Sequence, residues 1–308
     1  MDENQRSAIE ELIAERNDLK RHCLRLQAII EETGSMGYPP GHYYSPVTDI
    51  QDPFVIRAVE ERLTAPAPAG VRVDREAMNT MLGRLAAHNP FFPFPRENDG
   101  VNRFYFDNPF FGCHDASVYF SMLLEFKPRR VVEVGSGFSS RLLLDTNARF
   151  FDNELDVSLI DPSLPSLTDL DPPAGTAMLG CRLQEAPLGL FERLEANDIL
   201  FIDSSHVSKT GSDVNYYLFE ILPRLKPGVL IHIHDIFWPF EYPAEWVLGE
   251  KRNWNEAYAV RAFLQYNAAF EIVYWNNFAF HFLGAELRKS MPLCMENEGG
   301  SLWIRKNE

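Results

Sequence analysis

The chain has 308 residues, 45% of them hydrophobic and 13% aromatic, with 29 Lys and Arg against 44 Asp and Glu and a formal net charge of −15. That composition excludes disorder as the main state, and the negative balance excludes a general basic field for nucleic acid. No run approaches the roughly 18 apolar residues of a membrane span, the polar, acidic start is unlike a secretory signal, and the scattered Cys23, Cys113, Cys181 and Cys294 form no CxxC pair, so the expectation is a cytoplasmic protein without a disulfide scaffold or structural zinc.

Residues 2–32 read as one helix. Ile9, Leu12, Arg16, Leu19, Cys23, Leu26 and Ile30 recur with alternating spacings of three and four, which is a heptad seam. Glu15 would face Lys20 of a parallel partner. The pattern fits a coiled coil that makes a homo-oligomer, or a single amphipathic helix lying on its own domain. Gly34–Gly37 and Pro39-Pro40-Gly41 end it.

Residues 34–114 read as a cap or substrate segment. Short helices are expected at 53–63 and 74–88, the second with Met78, Met81, Leu82 and Leu85 on one face. Residues 90–112 hold seven Phe and one Tyr among Pro, Asn and Gly. A stretch so aromatic must pack on a core or line a pocket.

From residue 115 to 308 the rhythm becomes helix and strand in alternation. Strands are expected at 130–134, 157–160, 177–183, 198–202, 228–233, 270–275 and 301–305. Helices are expected at 115–126, 138–148, 187–194, 211–225 and 254–267. Short apolar strands separated by helices predict an α/β fold, a mostly parallel sheet covered on both faces.

Glu133-Val-Gly-Ser-Gly-Phe-Ser-Ser140 ends the first of these strands and opens a helix. Gly135 and Gly137 allow a tight turn and a close backbone approach to a ligand, and the helix start offers unpaired N–H groups. It is not the phosphate loop GxxxxGK[ST], and Ser139 stands where a dinucleotide fingerprint has its third glycine. Asp161, closing the next strand, can accept both hydroxyls of a ribose.

With the Glu133-x-Gly135-x-Gly137 loop, Asp161, the strand Asn197–Asp203 and the run Leu222–Val229 leading into the next strand, the chain resembles the class I S-adenosylmethionine-dependent methyltransferases over about residues 115–305. The resemblance implies a Rossmann-like seven-stranded sheet with a reversed final hairpin, and S-adenosyl-L-methionine as cofactor. It implies that Glu133 and Gly135 hold the amino-acid moiety, Asp161 the ribose, and Gln184 or Glu185 the adenine, with Ser136 and Gly137 also in the cofactor-binding loop. Asp203 would also border the cofactor. Tyr105 and Asn108 are expected to close its pocket.

A second constellation follows. Asp203 and His206 end the fourth strand, and His232, His234 and Asp235 end the fifth. In a parallel sheet these ends share the edge that carries the glycine loop, where ligands of open α/β sheets bind. Two carboxylates and up to two imidazoles suit a divalent cation, Mg or Mn, with Fe or Zn favoured by the imidazole. His232, one pleat deeper, reads as a core residue. The cluster resembles that of metal-dependent O-methyltransferases acting on sugars and catechols. That likeness implies metal ligation by Asp203, His234 and Asp235, and catalysis by His206 as base with Asp203. Asp213 and Asn215 read as helix caps. The aromatic run Phe237–Pro243, with Trp254 and Tyr258, could wall an acceptor.

The reading is methyl transfer from S-adenosylmethionine to a hydroxyl of a small molecule or sugar, helped by a divalent metal and a His base. Two alternatives remain at this point: an iron-dependent oxygenase on the same fold, and a non-catalytic assembly protein.

Overall fold

The computed structural model describes residues 16–30, 37–163 and 168–308. Seven strands, β1 (Arg130–Val134), β2 (Asp156–Ile160), β3 (Ala177–Leu179), β4 (Ile199–Ile202), β5 (Leu230–Ile233), β6 (Phe270–Trp275) and β7 (Leu302–Lys306), form one sheet in the order β3-β2-β1-β4-β5-β7-β6. β1 to β5 pair in parallel, and β7 runs antiparallel to both β5 and β6. This is the expected Rossmann-like sheet with its reversed last strand. The central strands are apolar on both faces because both faces are covered.

Upstream of the sheet lie α1 (residues 16–30), α2 (Pro53–Glu60), α3 (Arg75–Ala86) and α4 (Cys113–Phe126). Asp52 caps α2 by accepting from Phe54 N–H, and Asp74 caps α3 by accepting from Ala77 N–H. The apolar face of α3 buries Met78, Met81, Leu82 and Leu85, as its spacing predicts. Every residue of α1 is exposed, Leu19 and Leu26 included. The rest of the heptad seam, with Ile9, Leu12 and Glu15, lies outside the described residues. Among the described residues no helix is long and apolar enough to cross a membrane.

The aromatic segment divides into two parts. Phe92, Phe94, Phe104 and Phe106 form a ring cluster with Phe120 of α4, at centroid separations between 4.8 and 6.0 Å. Asp145, on α5 (Phe138–Phe150), anchors this part: one oxygen accepts from the N–H groups of Arg103 and Phe104, the other from the Arg103 guanidinium. The second part, Pro109–Gly112, passes over the carboxyl edge of the sheet.

Four expected elements are shorter or less regular, among them the strand expected over 177–183, which ends at Leu179, and the helix expected over 187–194, which is confined to Gly189–Glu192. The helix predicted over 211–225 is a short α-turn, Asp213–Tyr216, then a wider π-turn, Tyr217–Ile221, then a 3-10 turn at Leu222–Arg224. Pro223 lacks the N–H a regular ladder needs there. The helix predicted over 254–267 is shorter, α6 (Glu256–Leu264). It starts late because the N–H groups of Asn255 and Glu256 turn back to the carbonyl of His206. Two helices after β6, α7 (Asn276–Phe282) and α8 (Gly284–Ser290), were not expected from the sequence.

Phe104 is fully buried in the ring cluster, edge-on to Phe94 and Phe106. Phe104→Ala is expected to lower stability by about 3–5 kcal/mol through transfer and cavity costs, read as a lower urea midpoint at unchanged slope.

Candidate active site

Backbone hydrogen bonds carry the sheet one step past its strands. Gly135 N–H donates to the Ile160 carbonyl, Asp203 N–H to Val134, and His234 N–H to Ile202, each at 2.9 Å. Gly135, Asp203 and His234 therefore stand in a row at the carboxyl edge. The strand order reverses between β1 and β4, which opens a crevice there. Gly135 has φ +84°, and a Cβ on it would come to 1.7 Å from the Asp203 carbonyl oxygen. Only glycine satisfies both the backbone angle and the approach.

Asp161 fixes the loop that follows. Its carboxylate accepts from Ser136 N–H at 2.8 Å and from Ser163 N–H at 2.7 Å. Glu133 is fully buried and turned the other way. It accepts from the hydroxyls of Ser139 and Ser140 at 2.7 and 2.6 Å, with Tyr119 OH at 3.3 Å, and burial raises its pKa to about 7 despite those bonds. It supports the loop from beneath and lines none of the three cavities at this edge.

Those cavities meet at Asp203. The first, about 490 Å³, is lined by Gly135, Ser136, Gly137, Asp161, Arg141 and Asp169 among others. The second, about 600 Å³, runs from Gly135 and Asp161 to Gln184 and Asp213. The third, about 640 Å³, holds His206, His234 and Asp235 beneath Phe110, Phe237, Trp246 and Trp254. Gln184 lines the second cavity and donates to the Gly211 carbonyl at 2.7 Å. Glu185 pairs instead with the exposed Arg182. Asn108 is a loop organiser: its amide donates to the carbonyls of Tyr105 and Phe111 and its oxygen accepts from the N–H groups of Phe110 and Phe111. Tyr105 packs edge-on against Phe138.

His206 is the most constrained residue of the third cavity. Its φ is +59° and that of Asp235 is +57°, left-handed values that non-glycine residues rarely hold. Nε2 of His206 lies 3.4 Å from Asp203 and 3.6 Å from Asp235, while Nδ1 lies 2.8 Å from Glu256. Glu256 is buried and also accepts from Tyr217 OH at 2.8 Å. Burial disfavours the charged ring, yet the bonds to Asp203 and Glu256 and the nearby Asp235 raise the His206 pKa well above the ordinary imidazole value. The Asp203 carboxyl is lowered, since His234 and His206 overcome its desolvation, and the Asp235 carboxyl is raised, since burial wins. Burial also opposes a charge on His234, but Asp235 and Asp203 raise it. His232 stacks 3.7 Å above Phe201, bonds Ser301, and is pushed well down by burial, as befits a core residue.

The described residues hold no group of three or more His, Cys, Asp or Glu side chains able to hold a metal ion. The metal expected at Asp203, His234 and Asp235 is therefore not matched by their geometry. The His206 ring stands between the two carboxylates, and His234 Nε2 is 3.7 Å from Asp235. Sequence reasoning missed Glu256, whose place in the first turn of a helix looks like ordinary dipole complement. It also missed Arg141 and Arg252, which carry no motif.

Residues 132–236 match the family model of a methyltransferase domain. The methyltransferase-domain match spans β1 to just past β5, so it takes in the glycine loop, Asp161, Asp203, His206, His234 and Asp235. Arg252, Trp254 and Glu256 lie beyond it. An uncharacterized protein of Archaeoglobus fulgidus is 29% identical over 198 residues, 60% of this chain and 87% of that relative. Among solved structures, the plantazolicin methyltransferase BpumL, in complex with a desmethyl analogue and SAH, aligns at 12% identity over 83% of this chain and 96% of its own, with TM-score 0.39. The SAH-bound Podospora anserina methyltransferase PaMTH1 aligns at 12% identity over 78% and 91%, also with TM-score 0.39. Likenesses this distant bear on neither acceptor nor mechanism.

Gly135→Ala is expected to force β1 and β4 apart at their shared edge, costing about 3 kcal/mol or more. A calorimetric scan showing an unchanged melting point, with S-adenosylhomocysteine binding also unchanged, would contradict this account of the junction.

Proposed function

We propose that this protein transfers a methyl group from S-adenosylmethionine to a hydroxyl of a small-molecule acceptor, with His206 as the base. The observation that carries the reading is the meeting of three cavities at Asp203, two of them bounded by the glycine loop and Asp161, the third by His206. The first two suit the two ends of the cofactor. Arg141, Asp169 and Asp203 offer both signs of charge to an amino-acid group, while Asp161 and Gln184 line the nucleoside side. When bound there, S-adenosylmethionine supplies a methyl carbon already activated by its sulfonium.

The chain's own task is to hold the acceptor oxygen in line at about 3 Å and to take its proton. Glu256 accepts from Nδ1–H of His206 and so fixes the tautomer that leaves Nε2 for the proton. Tyr217 OH fixes Glu256 in turn. A positive charge placed beside Asp203 competes with His206 for that carboxylate and loosens the imidazole's hold on its proton. Phe110, Phe237, Trp246 and Trp254 give the acceptor an aromatic wall. A sugar or aromatic ring bearing a hydroxyl fits such a wall, and no step in this scheme passes through a metal.

Calorimetry with S-adenosylhomocysteine tests the cofactor part: binding that weakens in Asp161→Ala is expected, and no binding to the wild type would sink the reading. In a screen of hydroxylated acceptors read by adenosylhomocysteine release, His206→Ala is expected to lose about 10²–10⁴-fold in turnover while keeping cofactor binding.

The pH dependence has a definite sign. A base whose pKa is raised is in its working form only above that pKa, so the activity of the wild type is expected to rise along a limb centred above about 6.5. Glu256→Gln removes one group that raises it, so its limb moves to lower pH while the maximal rate falls. A limb that stays in place in the variant would show that Glu256 does not act on His206.

A further inference from the structure

The charged groups around the third cavity can be accounted for one by one. Asp203 and Asp235 face His206. Asp115 accepts from the N–H groups of Gly300 and Ser301 and from the Asn276 amide. Glu298 accepts from Asn277 and from Arg62, whose other terminal nitrogen donates to the Trp238 carbonyl. Two groups are less fully matched: His234, whose buried Nδ1 has no hydrogen-bond partner among the described residues, and Arg252. Nε of Arg252 donates to Glu250, but its two terminal nitrogens have no hydrogen-bond partner among the described residues.

The position of this guanidinium is fixed. Its central carbon lies 4.0 Å from the ring centre of Trp246 and 4.6 Å from that of Trp254. Arg252 N–H also donates to the Trp246 carbonyl at 2.9 Å. Stacking on two indoles removes the rotamer freedom that an arginine loses on binding an anion, which makes the fork ready for a bidentate partner. The Trp254 ring is in turn 4.3 Å from the His206 ring. The cation and the proposed base therefore contact the same indole.

We propose that Arg252 is an anion-recognition point of the acceptor cavity, and that the acceptor carries a carboxylate-like oxyanion about one six-membered ring away from the hydroxyl that is methylated. The inference rests on the methyl-transfer reading for the hydroxyl, and on Arg252 alone for the anion. The oxyanion receives two parallel N–H bonds from the terminal nitrogens. Its charge is set against a cation that Glu250 only partly offsets. The acidic groups deeper in the cavity, each already paired, disfavour an anion placed at the wrong end, so the same charges orient the acceptor.

The test uses calorimetry on the full chain saturated with S-adenosylhomocysteine, with 4-hydroxybenzoate and its neutral counterpart 4-hydroxybenzamide as probes. The benzoate is expected to bind the wild type at least about tenfold more tightly. Arg252→Gln is expected to erase that preference, Arg252→Lys to keep part of it, and all variants to bind adenosylhomocysteine as before. Glu250→Gln, which leaves the stacked guanidinium in place, is expected to sharpen the preference and serves if Arg252→Gln proves unstable. Equal binding of the two probes, no binding of either, or a preference that survives Arg252→Gln overturns the proposal. A protein that binds the benzoate through Arg252 but not adenosylhomocysteine would keep the anion site and remove the methyl-transfer reading.

Discussion

The close passage of β1 and β4 beyond their last paired residues governs the rest of the site. With no side chain on Gly135, the loop can lie against the backbone of Asp203. That contact brings the carboxylate of Asp203 to the glycine loop on one side and to His206 on the other. The strand order makes the crevice and the glycine sets its width.

Much of this was legible because it is local in the chain. A glycine loop after an apolar strand, an acid closing the next strand, and acid–imidazole pairs at two further strand ends are all short-range patterns, and parallel pairing aligns them. Orientation was less legible. Glu133 could be placed on its strand, but whether its carboxyl reached the cavity or the serines of α5 depended on tertiary packing. Gln184 and Glu185 are adjacent, and only the turn they share decides which one lines a cavity. Glu256 was beyond sequence reasoning, being fifty residues from His206 and reaching it because α6 begins on that residue's own carbonyl. The metal expectation rested on residue types at strand ends. It could not foresee a backbone with positive φ at both His206 and Asp235, which swings the imidazole between the carboxylates.

The electrostatics of the third cavity follow from that placement. Three carboxyl groups surround one imidazole in a site largely removed from water, where an unmatched charge is costly and a matched one is held firmly. The pairing explains why a chain with an excess of acid can gather carboxylates without their repelling one another apart. It also gives His206 an orientation before any acceptor arrives. Exposed acids such as Glu185 and Glu220 pair instead with neighbouring arginines in contact with solvent, where the attraction is screened. The net charge is therefore a poor guide to the site, where imidazole and guanidinium groups answer most of the carboxylates.

Asp115 adds a constraint of a different kind. It sits in the first turn of α4, yet it holds the backbone of Gly300 and Ser301 just before β7, a separation of 185 residues along the chain. β7 is inserted between β5 and β6, so the sheet is not closed until the last strand arrives. During synthesis the glycine loop and its two acids leave the ribosome long before this clasp can form. Contacts so distant in sequence form late and slowly. The crevice at the glycine loop is thus built from elements made early, while the cavity beside it waits for the segment that brings Gly299 and Gly300 to its wall.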